Sequence, residues 1–93
     1  MVNEIANIFK EHNETKISIM NAECPLYLQM NDEWGEDAYN KQITDIECKI
    51  EEYGMVDITL YNNETDYDLG DCADGNALLY IYEYVYQYFN EKS

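Results

Sequence analysis

Ninety-three residues carry 20 Asp and Glu against five Lys, one His and no Arg, for a formal net charge of −15. A chain this short cannot divide its apolar residues between two cores, so residues 1–93 are expected to form a single acidic domain. With 46% apolar residues and ten Tyr it is unlike a disordered acidic tail, and without an Arg fork for phosphate or base edges it is unlike a nucleic-acid binder.

From the N terminus, Val2 to His12 reads as an amphipathic helix, with Ile5, Ile8, Phe9 and His12 at spacings of three and four and Asn13-Glu14 breaking the pattern. Lys16 to Met20 alternates as a strand. Leu26 to Met30 alternates again, with Pro25 at its start, where a missing N–H is tolerated. Asn21 to Cys24 is long enough to join these two as a hairpin. Asn31 to Gln42 carries Asn, Asp and Gly and reads as an exposed loop. The next stretch is ambiguous: Ile43, Ile46, Ile50 and Tyr53 fit a helix, whereas Ile46, Cys48 and Ile50 fit a strand. The strand is preferred because Glu52-Tyr53-Gly54 can turn directly into Met55 to Tyr61, where Val56, Ile58 and Leu60 alternate with Asp57, Thr59 and Tyr61.

Asn62 to Asn76 reads as an acidic loop whose Asp74 caps a last helix from about Gly75 to Asn90. The alternation of Tyr80, Tyr82, Tyr84, Tyr86 and Tyr88 also permits a strand, but sixteen uninterrupted residues suit a helix better. Its buried stripe is Leu78, Ile81, Tyr82, Val85 and Phe89. The expected fold class is therefore α+β: an antiparallel sheet of three to four strands, arranged as a meander, with an N-terminal and a C-terminal helix on one face.

Little in the sequence supports catalysis, and no enzyme is expected. His12 lies on the expected core face of the first helix and reads as a structural side chain or helix C-terminal cation rather than a general base. Cys24, Cys48 and Cys72 are odd in number and lack the close pairing of a zinc site or a disulfide framework. They read as thiols of a reducing, cytoplasmic compartment. The N-terminal stretch has no basic start or long apolar run, and no window approaches a membrane span, so neither leader nor membrane partner is expected. Asp66, Asp68, Asp71 and Asp74 with Gly70 and Gly75 permit an irregular calcium site, although both EF-hand registers fail. No cofactor is expected.

What remains is the charge. Solubility requires a net charge of only about 2–8 in magnitude for a small domain, and self-repulsion at −15 destabilises the compact state. Carboxylates two residues apart on a strand face lie about 7 Å apart, comparable in scale to the steps of a phosphate backbone. Three clusters are candidates for partner binding. The first, Asp32, Glu33, Glu36 and Asp37, surrounds Trp34, which either anchors an interface with Tyr39 or packs on the core. The second is Asp45, Glu47, Glu51 and Glu52, opposed by Lys49. The third is Glu64, Asp66, Asp68, Asp71 and Asp74. Each taken singly also reads as a solvated loop.

In size, α+β construction and charge excess the chain resembles a loose class of small acidic inhibitors from phages and mobile elements, the anti-CRISPR and anti-restriction proteins. The resemblance spans the whole chain in composition and rests on no motif, so it assigns no residue a role. It implies DNA mimicry: occupation of the basic nucleic-acid-binding site of a bacterial defence nuclease, in the host cytoplasm, without direct nucleic-acid binding. The alternatives are an immunity or antitoxin protein that neutralises a basic toxin, and a calcium-binding module. Monomer and homodimer both fit, the latter joined through the Tyr-rich last helix.

Overall fold

A computed structural model describes residues 1–20, 23–30, 39–63, 65–72 and 75–92. Two helices, α1 (Val2–Glu11) and α2 (Ala77–Lys92), enclose strands β1 (Lys16–Ser18), β2 (Leu26–Met30), β3 (Tyr39–Ile43), β4 (Asp45–Ile50), β5 (Val56–Asn62) and β6 (Thr65–Asp68). The strands form a four-stranded antiparallel sheet in the order β1-β4-β5-β6 and a separate antiparallel pair, β2-β3. This is the expected α+β class.

Helix α1 ends where Asn13 enters the left-handed region (φ 56°), which Asn tolerates better than most residues. The Asn13 N–H donates to the Lys10 carbonyl at 3.1 Å and the Glu14 N–H to the Phe9 carbonyl at 3.0 Å, a double closure that satisfies the helix's last carbonyls. His12, expected on the core face, is exposed. Its ring stacks on Phe89 at 4.3 Å between centroids while Nδ1 lies 2.9 Å from the Ile8 carbonyl, so it serves as a lid over the helix pair.

One contiguous core unites all layers. Ile5, Ala6 and Phe9 of α1 meet Ile81, Val85 and Phe89 of α2 and the inward residues of both sheets. Phe9 and Phe89 pack edge to face with centroids 5.5 Å apart, a favoured aromatic geometry. Within α2, Leu78 and Tyr82 are half-buried and Ile81, Val85 and Phe89 fully buried, so the helical reading of the Tyr-rich segment is correct.

Three expectations are corrected. The segments 16–20 and 26–30 do not form a hairpin: β1 pairs with β4 and β2 pairs with β3. Tyr39 to Gln42, read as the end of a loop, form strand β3 together with Ile43, the first residue of the ambiguous stretch. Thr65 to Asp68, also read as loop, is edge strand β6. The ambiguous stretch resolves as strand β4, followed by a turn at Glu52–Gly54 into β5.

Thr44 is the joint between the two sheets. The chain leaves β3, turns at this buried residue (4% exposed) and enters β4. The Thr44 N–H donates to the Tyr61 carbonyl at 2.7 Å and its own carbonyl accepts from the Ile19 N–H at 2.8 Å. Its hydroxyl accepts from the Asn63 N–H at 2.9 Å, and its single proton has Asp45 Oδ2 at 3.0 Å and the Tyr61 carbonyl at 3.2 Å as acceptors. The carboxylate is the stronger acceptor of the two.

Candidate functional site

The four-stranded sheet has one face on the core and one in solvent, and the strict alternation of strands decides what each holds. Ile17, Ile46, Cys48, Ile58 and Leu60 point inward and are buried. Burial pushes the Cys48 thiol pKa up, with Lys10 opposing the shift, so this cysteine is an inert core residue. The residues between them form the open face, and the register aligns them into rows. Lys16 is opposite Glu47, Glu47 opposite Thr59, and Thr59 opposite Asp68. In the next row Ser18 is opposite Asp45, Asp45 opposite Tyr61, and Tyr61 opposite Asp66. Lys49 and Asp57 form a third pair.

The outcome is a block of carboxylates set by backbone geometry. Asp45 and Glu47 lie two residues apart on β4, and Asp66 and Asp68 two apart on β6, a spacing of about 7 Å along each strand. The two strands flank β5, which places the two carboxylate columns about 10 Å apart. Asp57 extends the block along β5.

Tyr61 stands at its centre. Its hydroxyl donates to Glu47 Oε1 at 3.1 Å, and Lys16 Nζ sits 4.3 Å from its ring centroid. The phenol pKa is raised above its ordinary 10.0. The hydrogen bond to Glu47 is the largest cause, followed by partial burial and the charges of Glu47, Asp66 and Asp45. Of those carboxylates, Glu47 and Asp45 lie on β4 and Asp66 on β6, on either side of Tyr61. Directly opposite charges on this face are of opposite sign, Lys16 with Glu47 and Lys49 with Asp57, while the carboxylate columns of β4 and β6 are separated by β5.

The candidate residues sort as follows. Asp45, Glu47, Asp66 and Asp68 come together on the open face, bringing part of the second cluster and part of the third into one surface. Glu51 and Glu52 lie instead at the exposed β4–β5 turn beyond that face. Asp32, Glu33, Trp34, Glu36, Asp37, Glu64 and Asp74 lie outside the described residues, as does the side chain of Asp71. Sequence reasoning missed Asp57, Tyr61 and Lys16 as members of the surface. The alternation of residues 55–61 already set Asp57, Thr59 and Tyr61 apart from the buried positions. What was missing was the β5–β6 pairing that carries Asp66 and Asp68 beside them.

Among the described residues no group of three or more His, Cys, Asp and Glu side chains is arranged to hold a metal ion. Among the same residues no helix is long and apolar enough to cross a membrane. Comparison with protein-family models, curated proteins and solved structures gave no match.

Proposed function

We propose that this protein is an inhibitor that occupies the basic nucleic-acid-binding site of a bacterial defence nuclease, of the RNA-guided CRISPR or restriction class, and blocks DNA binding. The observation that carries the reading is the open sheet face: Asp45, Glu47, Asp66 and Asp68 around Tyr61, with Asp57 alongside. Its columns, about 10 Å apart, fall between the widths of the minor and major grooves, about 6 and 12 Å. Its steps of about 7 Å along each strand are of the scale over which a nucleic-acid backbone advances its charges. A cleft lined with Lys and Arg for phosphate offers the same attraction to such carboxylates, and the net charge of −15 steers the encounter.

The sheet is suited to the task because its rigidity is supplied from the other side. The core fixes the strands, so the spacing of the carboxylates along and across the sheet is set by the backbone. A row of charges already held in place loses little conformational freedom on binding, which favours affinity over a flexible acidic tail.

The test is competition. Guide-loaded CRISPR nucleases and restriction endonucleases are titrated with the protein, with displacement of a fluorescent DNA duplex as the readout. For a nuclease that it inhibits, prebound DNA is expected to exclude the protein, and binding is expected to weaken steeply as salt rises. Replacing both Asp66→Lys and Asp68→Lys reverses the charge of one column and is expected to weaken inhibition by about tenfold or more, the effect of losing about 1.4 kcal/mol. Simultaneous binding of DNA and protein to that nuclease, or inhibition untouched by the double substitution, rules out mimicry through this face.

A further inference from the structure

The β4–β5 turn carries exposed apolar side chains that the core does not use. Tyr53 is 98% exposed, Met55 66% and Ile50 40%. The turn is closed by the Glu51 N–H donating to the Met55 carbonyl at 2.7 Å and the Gly54 N–H donating to the Glu51 carbonyl at 3.2 Å. Within it Tyr53 is held at φ 67°, ψ 15°, in the left-handed region, next to Gly54 at φ 76°. That third turn position favours Gly or Asn, and a bulky side chain there is an outlier. Tyr53 is thus strained yet almost fully exposed. Strain of this kind, retained without a structural return, points to function.

The position of the turn identifies what it meets. Met55 continues the open-face series Asp57, Thr59 and Tyr61 along β5, so it marks the far end of the acidic face, about 20 Å from Tyr61, with Tyr53 in the adjoining turn; Ile50, opposite Val56, belongs to the other face. A single standard interface covers that span. Glu51 and Glu52, both exposed, directly precede Tyr53. Their charge disfavours a second copy of this chain, with its own −15, and equally an anionic bilayer.

We propose that the Tyr53–Met55 tip is an apolar anchor that inserts into a pocket bordered by Lys and Arg on the same basic protein that the acidic face engages. The inference rests on the proposed function and adds a second contact to it. The carboxylates supply steering and register, and Tyr53, a residue type frequent among interface hot spots, supplies the desolvated contact that slows release.

Two synthetic peptides of equal positive charge, an oligolysine and an alternating Lys–Leu sequence, serve as probes, with amide chemical shifts of the labelled protein as the readout. The Lys–Leu peptide is expected to bind about tenfold more tightly than oligolysine, the scale of one buried hot-spot side chain. It is expected to move the amides of residues 50–55 as well as those around Tyr61. Tyr53→Ser is expected to abolish that advantage while leaving oligolysine binding unchanged. The position is exposed, and the companion Tyr53→Gly is expected to melt higher because it removes the left-handed strain.

If oligolysine moves the face around Tyr61 but the leucines add nothing, the anchor is overturned and the acidic face stands. If the advantage survives both Tyr53→Ser and Met55→Ser, the anchor is likewise overturned. If neither peptide moves either region, both proposals fall. Concentration-dependent shifts at the tip without peptide identify a second copy as its partner, and Tyr53-dependent binding to phosphatidylglycerol vesicles identifies a membrane; either overturns the anchor.

Discussion

The two faces of the four-stranded sheet are drawn from the same strands one residue out of step. Inward, Ile46, Cys48, Ile58 and Leu60 are packed among two helices and a second sheet. Outward, Asp45, Glu47, Asp57, Asp66 and Asp68 stand beside Lys16 and Lys49. The inner face releases apolar area from water and gains stability from every residue. The outer face carries these five carboxylates against two lysines, Lys16 opposite Glu47 and Lys49 opposite Asp57, so its charge excess adds little to stability. Stability and function are thereby assigned to opposite sides of one layer, which allows the surface to carry repulsion that the core sustains.

Adjacent residues on β5 give the largest break in that comparison. Leu60→Ala empties a site that is fully buried, and is expected to cost about 2–5 kcal/mol in chemical denaturation. Its neighbour on the open face, Thr59→Ala, is expected to change stability by no more than about 0.5 kcal/mol. Comparable losses at both positions contradict the separation of roles.

The joint at Thr44 comes next in size. Thr44→Val keeps the shape of the side chain but removes the hydroxyl that accepts from the Asn63 N–H and donates towards Asp45 or the Tyr61 carbonyl. An amide left without its acceptor costs about 1–3 kcal/mol, and that loss is expected at Thr44. Thr44→Ser, which retains the hydroxyl, is expected to recover most of it. A Ser variant no better than Val places the importance of the site in its methyl group instead.

The elements that were legible in the sequence are those whose burial is one-sided and long. Helix α1 and helix α2 show their apolar stripes, and β2 and β5 show uninterrupted alternation. Strand β3 was hidden because Tyr39-Asn40-Lys41-Gln42-Ile43 has a single aliphatic residue and lies in a sheet of two strands. Strand β6 was hidden because Thr65-Asp66-Tyr67-Asp68 is a short edge, polar on one side and with only Tyr67 turned towards the core. Pairing was harder still. Neighbouring strands usually pair, which favours a β1–β2 hairpin, yet β1 closes on β4 across the whole β2–β3 unit. The candidate face depended on that pairing information: its members lie on four strands, and no local pattern joins Asp45 to Asp66.

Neutralising the open face is expected to have a smaller effect on stability, of opposite sign to the core substitutions. Glu47→Gln with Asp66→Asn removes two charges while keeping acceptor atoms for the Tyr61 hydroxyl and for water. Stability is expected to rise by about 0.5 kcal/mol or less at low salt, and the gain to shrink as salt is added. Partner binding is expected to fall in the same variant. A loss of stability identifies these carboxylates as supports of the fold and removes the argument that they are retained for binding.

The finest distinction is spectroscopic and concerns two tyrosines whose hydroxyls titrate late for different reasons. For Tyr61 the leading cause is the hydrogen bond to Glu47, with the surrounding carboxylates adding to it. For Tyr84 it is burial, at a hydroxyl that donates to the Cys24 carbonyl at 2.7 Å. In both cases the folded state holds its proton to higher pH than the unfolded chain, whose phenols ionise near the ordinary value of 10.0. Their contributions are therefore fully present below pH 10 and lost as pH rises from there through each folded pKa. Ring-carbon shifts followed through an alkaline titration resolve the two. Glu47→Ala, which removes both the acceptor and the charge, is expected to bring Tyr61 back towards the ordinary range and to leave Tyr84 where it was. A Tyr61 that remains late without Glu47 does not owe its shift chiefly to that hydrogen bond, and the leading cause assigned to it falls.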